Sequence, residues 1–292
     1  MTTTYDVLVV GEVLVELSAD GPLQGSDRLS LSFSGDALNS AAAAAAAGAS
    51  VGLLARIGDD ELGDALTAHV ERCGVDTALL KRVPQPNGLY FVIPDPDSVG
   101  GFIYMRRGSA GSTLEPADVE VDAEVLVVSG IGQAISASAA AAVEHAARQA
   151  GTVVYDPNFR QRVTTPEAAR AALERIVPHV SVLLPSHPVE TRALLGAETP
   201  EAAIEAALAL GAGAVAVTCG EHGVLLDDGT WVDAVPAPAI VDATGAGDAL
   251  AGTVAARLAR GDALAEAVRH GVTAAARSLG ARGGTGWIAG TP

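Results

Sequence analysis

Residues 242–250 read Asp-Ala-Thr-Gly-Ala-Gly-Asp-Ala-Leu, and the fold and the chemistry of this chain both turn on that stretch. Asp248 follows the Gly245-Ala246-Gly247 turn and opens a long apolar run with helical spacing. The arrangement leaves bare backbone N–H groups at a helix N-terminus, where unpaired donors and the positive end of the macrodipole suit an anion. Glycines let the backbone approach that anion without a Cβ in the way. A carboxylate there would repel a phosphate, so Asp248 needs a reason to be present. Taking the proton from a hydroxyl that attacks the phosphate supplies one. A Gly-rich turn with an acidic first-turn residue, favoured by the dipole alone, is the plainer alternative.

A chain of 292 residues, 49% of them hydrophobic, can bury a substantial α/β core. Its formal charge of −17 argues against nucleic acid and anionic membrane surfaces as partners. Lys81 is the only lysine, which excludes a P-loop and any lysine Schiff base elsewhere. The two cysteines, Cys73 and Cys219, are far apart and read as buried, reduced thiols. The chain passes from MTTT straight into YDVLVVG, and no apolar run reaches the ~18 residues of a membrane span, so a cytoplasmic protein is expected. The six histidines show no metal-ligand spacing.

Apolar runs at 5–11, 51–58, 125–130, 152–156, 181–185 and 214–220 lack polar alternation, as strands buried on both faces do. Helices are expected between them at 37–48, 60–73, 136–150, 166–177, 188–195, 200–210, 247–260 and 262–279. Pro166 and Pro200 fit first-turn positions, and Asp262 an N-cap. The alanine run 41–47 is a strong helix former that can approach the sheet closely. Residues 12–34 and 88–107 break this rhythm with alternating β patterns, as one small inserted sheet or as two separate hairpins. Within them, Tyr90, Phe91, Phe102 and Tyr104 concentrate the chain's scarce aromatics. Strand alternation puts Tyr104 and Arg106 on one face, where hydroxyl and guanidinium suit a polyol acid.

The string D-x-T-G-A-G-D before a C-terminal helix resembles the signature of the ribokinase-like (PfkB) carbohydrate kinases. The resemblance runs through essentially the whole chain. It implies an α/β fold with a doubly wound, mostly parallel sheet flanked by helices, and a β-sheet lid from about 12–34 and 88–107, all within one kinase domain spanning 1–292. It makes Asp248 the catalytic base and Gly245, Ala246 and Gly247 the anion hole. Gly35, Asp36 and Asn39 match the N-terminal signature, whose polar groups hold sugar hydroxyls, although Ser34 stands where a first glycine is usual. Thr218, Gly220 and Gly223 match T-x-G-x-x-G, which with Gly245 and Gly247 serves the nucleotide. Glu190 aligns with a glutamate that organises magnesium through water, and His187 falls where that motif carries asparagine. Asp242 and Thr244 fall where some members hold a monovalent cation such as K+. ATP and Mg2+ are the implied cofactors, and pairing of two copies through the lid is an implied mode of assembly.

Within the family, Tyr104 to Ser112 (Y-x-R-x-G-S-A-G-S) resembles the loop of 2-keto-3-deoxygluconate kinases, whose Tyr and Arg contact the keto-acid end of the sugar. Tyr90, Arg106, Arg160 of the Asp156-Pro157-Asn158-Phe159-Arg160 segment, and Ile131 complete the expected sugar site. The expected reaction moves the ATP γ-phosphoryl to a primary hydroxyl, with Asp248 ionised at neutral pH. A neutral-sugar kinase of the ribokinase or fructokinase type is the nearest alternative. A dinucleotide-binding oxidoreductase would put G-x-G-x-x-G after the first strand, where the chain reads EVLVEL.

Overall fold

Runs rich in valine, isoleucine and leucine without polar alternation build the centre of the molecule. The computed structural model describes residues 5–288 apart from 20, 25, 94–100 and 238. Its strands are β1 (Tyr5–Val10), β2 (Leu14–Ser18), β3 (Ser30–Ser34), β4 (Val51–Gly58), β5 (Leu80–Val83), β6 (Gly88–Ile93) and β7 (Gly101–Met105). Then come β8 (Ala123–Ser129), β9 (Val153–Asp156), β10 (Val182–Leu183), β11 (Ala214–Thr218), β12 (Val224–Leu226) and β13 (Trp231–Val232). The helices are α1 (Asp36–Ala46), α2 (Glu61–Arg72), α3 (Gly130–Ala134), α4 (Ala137–Gln149) and α5 (Pro166–Ile176). They continue as α6 (Val189–Leu195), α7 (Pro200–Ala209), α8 (Ala246–Ala259) and α9 (Leu264–Ser278).

Nine strands make one sheet in the order β13-β12-β11-β10-β9-β8-β1-β4-β5. It is parallel from β5 to β11 and antiparallel at the β12–β13 edge. Helices α1, α2, α8 and α9 bury apolar residues on one face, and α4 to α7 on the other. The eight expected helices are all present, with ends within two residues of the expected bounds. Pro166 and Pro200 occupy first turns behind Thr165 and Thr199 caps, as their fixed φ and missing N–H favour. Asp262 does not cap α9: it pairs with Arg257 at 2.5 Å, and Ala263 precedes the helix without a side-chain cap. The short helix α3 and the edge strands β5, β12 and β13 were not expected from the pattern; β12 and β13, of three and two residues, are too brief for periodicity to mark.

The alanine run of α1 lets two helices touch through their backbones. Ala41, Ala42, Ala43 and Ala44 are fully buried, and a Cβ on Gly252 of α8 would lie 2.0 Å from the Ser40 carbonyl oxygen. This contact carries the N-terminal end of α1 up against the N-terminal end of α8. The two β-rich segments form a single sheet: β2 pairs parallel with β6, giving the order β3-β2-β6-β7. In register, Glu16, Tyr90 and Tyr104 share the face over the body, while Leu17, Phe91 and Ile103 share the other. Phe33 ties the lid down by packing on His69 of α2, ring centroids 5.4 Å apart.

Candidate active site

In an open α/β sheet the strand C-termini face the crevice where ligands bind. Here β8 and β9 end at Ser129 and Asp156 beside the N-termini of α1 and α8, and the lid closes the same side. The cleft between them has a volume of about 880 Å³. Gly245 takes the left-handed backbone region (φ 81°), which turns the chain into α8 and suits glycine alone. Helix α8 starts at Ala246, so Gly247 and Asp248 lie in its first turn. Among the described residues, the N–H groups of Gly245, Gly247 and Asp248 have no backbone acceptor, and that of Ala246 makes only a long 3.4 Å bond to the Ala243 carbonyl. These are the donors that an anion needs.

Asp248 is 8% exposed and held from two sides. Asn39 Nδ2 of α1 donates to Oδ2 at 2.8 Å, and Asn158 Nδ2 donates to Oδ1 at 3.2 Å. Asn158 has φ 42°, a left-handed conformation that asparagine tolerates, and its N–H donates to Asp156 Oδ1 at 2.9 Å in a tight turn after β9. Asn39 is wedged in turn by the C-terminal segment. A Cβ on Gly284 would lie 2.2 Å from its amide, and Gly284 Cα would lie 2.8 Å from a Cβ on Gly245.

Four carboxyls crowd this cleft, and each is pushed above its ordinary range. Burial raises Asp248 to about 7, with the Asp36 charge adding to it; the Asn39 bond, the Arg160 charge and the Asn158 bond oppose the rise. Asp36 is raised by burial although Ser129 donates a hydrogen bond to it and Arg106 attracts it. Asp156 is raised well above normal by burial and by the charges of Glu190 and Asp248. Burial also raises Glu190. The charge of Arg160 lowers all four. The expectation of an ordinary, fully ionised Asp248 is thus corrected: burial among protein atoms, with the Asp36 charge nearby, disfavours its charged form.

On the sugar side, Gly35, Asp36, Asn39, Tyr90, Tyr104, Arg106, Ile131 and Arg160 all line the cleft. Besides Asn39 and Asp36, held as described, Tyr90 and Arg106 are also engaged. The Tyr90 hydroxyl donates to Glu16, a buried lid carboxylate that also accepts from Ser18 and Ser32, so its proton is committed and its oxygen is left to accept. Arg106 lies over the Tyr104 ring, 4.9 Å from its centroid, and its Nη1 sits 3.0 Å from Glu12 Oε2. Its charge is therefore partly answered before any sugar arrives.

On the nucleotide side, Thr218, Gly220 and Gly223 line the cleft together with Gly245, Ala246 and Gly247. Beyond them the wall is apolar, made by Val224, Val235, Ile240, Val272, Ala275 and Leu279. Glu190 also lines it, but both of its oxygens accept backbone N–H groups, from Phe159 at 2.6 Å and Ser186 at 2.7 Å. His187 bonds Thr191 at 2.9 Å. Thr244 lines the cleft, whereas Asp242 does not: its oxygens accept the N–H groups of Thr244 and Gly283, each at 2.9 Å, stapling the C-terminal segment to the anion-binding turn. Among the described residues no cluster of three or more His, Cys, Asp or Glu could hold a metal ion unaided. None of their helices is long and apolar enough to cross a membrane.

Sequence reasoning brought together the polar part of the cleft; it missed Asp156, Asn158 and the apolar wall inside it, and Glu12 and Gly284 behind it. Asn158 lay inside a segment already singled out for Arg160, and its place after a strand-ending Asp-Pro was the available signal. Glu12 carried none, since it read as the first residue of a β-rich stretch.

The model of the pfkB family carbohydrate kinases matches residues 5–288. The chain is 35% identical to 2-dehydro-3-deoxygluconokinase of Thermoproteus tenax, covering 95% of this chain and 89% of that one. It is 31% identical to 2-dehydro-3-deoxygalactonokinase of Haloferax volcanii, covering 94% and 90%. Its fold superposes on the crystal structure of a PfkB protein from Polaromonas sp. JS666 with a TM-score of 0.85 at 31% identity, over 96% of this chain and 97% of the other. An anion-binding helix start with a buried carboxylate beside it, in a doubly wound body under a β lid, belongs with these relatives: the chain is a member of the pfkB family of carbohydrate kinases, and a phosphotransferase.

Proposed function

We propose that the protein phosphorylates 2-keto-3-deoxygluconate on its primary hydroxyl, using ATP. The observation that carries this reading is the grouping of Tyr104, Arg106 and Arg160 in the same cleft as Asp248. Two guanidiniums and a phenol suit a sugar that ends in a carboxylate, which arginine binds bidentately.

Asp248 takes the proton of the attacking hydroxyl. Its neighbours keep it poised near neutral pH, where a general base works best. The N–H groups of Gly245, Ala246 and Gly247 face the charge that builds on the transferring phosphoryl, the dominant demand of a loose transition state. The nucleobase end of the cleft is the apolar wall of Val224, Val272 and Leu279.

Kinases of this family use ATP with Mg2+. A hydrated magnesium ion takes few protein ligands, so this site, which among the described residues offers no protein cage, would fit one, and the ion would supply charge neutralisation at the phosphates. Glu190 would hold one of those waters through a remaining lone pair. Asp242 and Thr244 would flank a monovalent cation such as K+, with Asp242 already committed to two N–H groups. On the outer lid face Leu31, Ile103 and Met105 are exposed, and a second copy covering them would form a homodimer.

The test is turnover by ADP release on a panel of 2-keto-3-deoxygluconate, its galactonate epimer, ribose and fructose. A kcat/KM for the keto-acid sugars at least about tenfold above the neutral ones supports the reading, a gap of about 1.4 kcal/mol. Equal or better turnover of a neutral sugar rejects it.

A further inference from the structure

Glu12 is a carboxyl of this neighbourhood that no step above uses, and burial raises it to about 7 against the pull of Arg106. It directly follows Gly11 at the end of β1 and is 1% exposed. Its Oε2 pairs with Arg106 Nη1 at 3.0 Å, and its Oε1 accepts from Ser109 Oγ at 3.1 Å. Both partners come from the chain just after β7, so the contacts join the lid to the body. Two glycines make room for it. A Cβ on Gly111 would lie 2.6 Å from Glu12 Cγ, and one on Gly88 would lie 3.0 Å from Oε1.

A buried ion pair is poor evidence for stability, because desolvation offsets most of its attraction. Such a carefully seated pair therefore calls for another role, and the far side of Arg106 suggests it. The guanidinium is stacked on Tyr104 and lines the cleft, while its Nη2 is buried without a hydrogen-bond partner. Asp36, also in the cleft, attracts the same guanidinium. Without a tether, the pull of Asp36 on the guanidinium would compete with that of a substrate carboxylate. Glu12 itself does not line the cleft, so it acts through Arg106 alone.

We propose that Glu12 is a positioning residue that fixes the Arg106 guanidinium against Tyr104 and so sets the affinity for the carboxylate end of the sugar. The inference rests on the acid-sugar reading above. An arginine anchored at one nitrogen keeps its planar fork in one orientation, so less freedom is lost when a carboxylate binds.

The experiment is a kinetic cycle on the intact protein with 2-keto-3-deoxygluconate and ATP, using Glu12→Gln, Arg106→Ala and the double variant, each checked by thermal melting. Expected for Glu12→Gln is a KM for the sugar raised at least about tenfold, with kcat and the KM for ATP within about threefold, the split of an interaction lost in ground state and transition state alike. Adding Glu12→Gln to Arg106→Ala should change that KM by less than about twofold, because both act through one guanidinium. Glu12→Asp, which keeps the charge on a shorter arm, should recover part of the loss.

An unchanged or lowered KM in Glu12→Gln, additive effects in the double variant, or a matching rise in the KM for ATP would overturn the inference while leaving the acid-sugar reading intact. If Arg106→Ala leaves the sugar KM unmoved, both fall together. Should Glu12→Gln fail to fold, Ser109→Ala carries the test. Loss of that hydroxyl should raise the sugar KM a few-fold at constant kcat, and no change in KM counts against the tether.

Discussion

Asn158→Gly should move the acid limb of the kcat/KM profile to higher pH without otherwise impairing the enzyme. Asn158 occupies the left-handed region at φ 42°, so glycine enters with no backbone strain and the change reduces to losing one amide. That amide donates to Asp248 Oδ1 at 3.2 Å, a long bond beside the 2.8 Å bond from Asn39. A hydrogen bond to a charged group is worth about 1.5–3 kcal/mol, and the length of this one places it at about 1.5. At 1.36 kcal/mol per unit, its loss raises the base by about one unit. The acid limb set by Asp248, at about 7 with the bond in place, would then move up by about one pH unit. A base works only when deprotonated, so activity is lost as pH falls through the raised value. At pH 7 the ionised fraction drops from about one half to about one tenth, a roughly fivefold loss in kcat/KM; at pH 9 both proteins are over about 90% ionised and should differ by less than about 1.5-fold. The assay is ADP release with 2-keto-3-deoxygluconate from about pH 5.5 to about pH 9.5, since kcat/KM reports the free enzyme. An unmoved acid limb, or a fivefold deficit that persists at pH 9, would refute the electrostatic account of Asn158.

Asp248→Asn should lower kcat by about 10²- to 10⁴-fold with the KM for ATP nearly unchanged, and near-normal turnover would remove Asp248 as the base. Gly252→Ala pushes a methyl to 2.0 Å from the Ser40 carbonyl, so α1 and α8 must part; overpacking of this kind costs about 1–3 kcal/mol. Differential scanning fluorimetry should show Tm lowered by about 2–4 °C for each of those kcal/mol, and an unchanged Tm would contradict the close approach. Cys73, buried with its thiol pushed up to about 11, and Cys219, also buried and raised, should resist a disulfide-exchange reagent until the protein unfolds. Rapid labelling of either in native protein would disprove that burial.

Legibility in the sequence followed the range of the interactions. The glycine turn before Asp248 is local, and its unpaired N–H groups follow from helix geometry, so the anion site could be read from nine residues. Periodicity likewise located α1, α2 and α4 to α9. The lid's two segments were visible by alternation, but their union depended on a parallel pairing of β2 with β6 across about seventy positions, which no local pattern encodes. Asp36, Asp156, Glu190 and Asp248 are scattered along the chain, so their crowding and the raised carboxyls were invisible. Burial decides those protonation states, and a string of residues does not display burial. Glu12 hid for the related reason that its partner, Arg106, is 94 residues away. Arg106 looked free because its counter-charge came from the distant connection between β1 and β2.

The hydrogen bond from Asn39 to Asp248 spans 209 residues, and that separation has a cost in time during synthesis. At about 5–20 residues per second, a ribosome needs on the order of 10–40 s to deliver the carboxylate after it has delivered the amide. Throughout that interval the alanine face of α1 has no α8 to lie on. A closely packed seam of the folded molecule is thus an uncovered apolar strip in the nascent one, and its partner helix is among the last elements to be made. A chaperone that shields residues 37–47 for those seconds would protect both the seam and the catalytic geometry that depends on it.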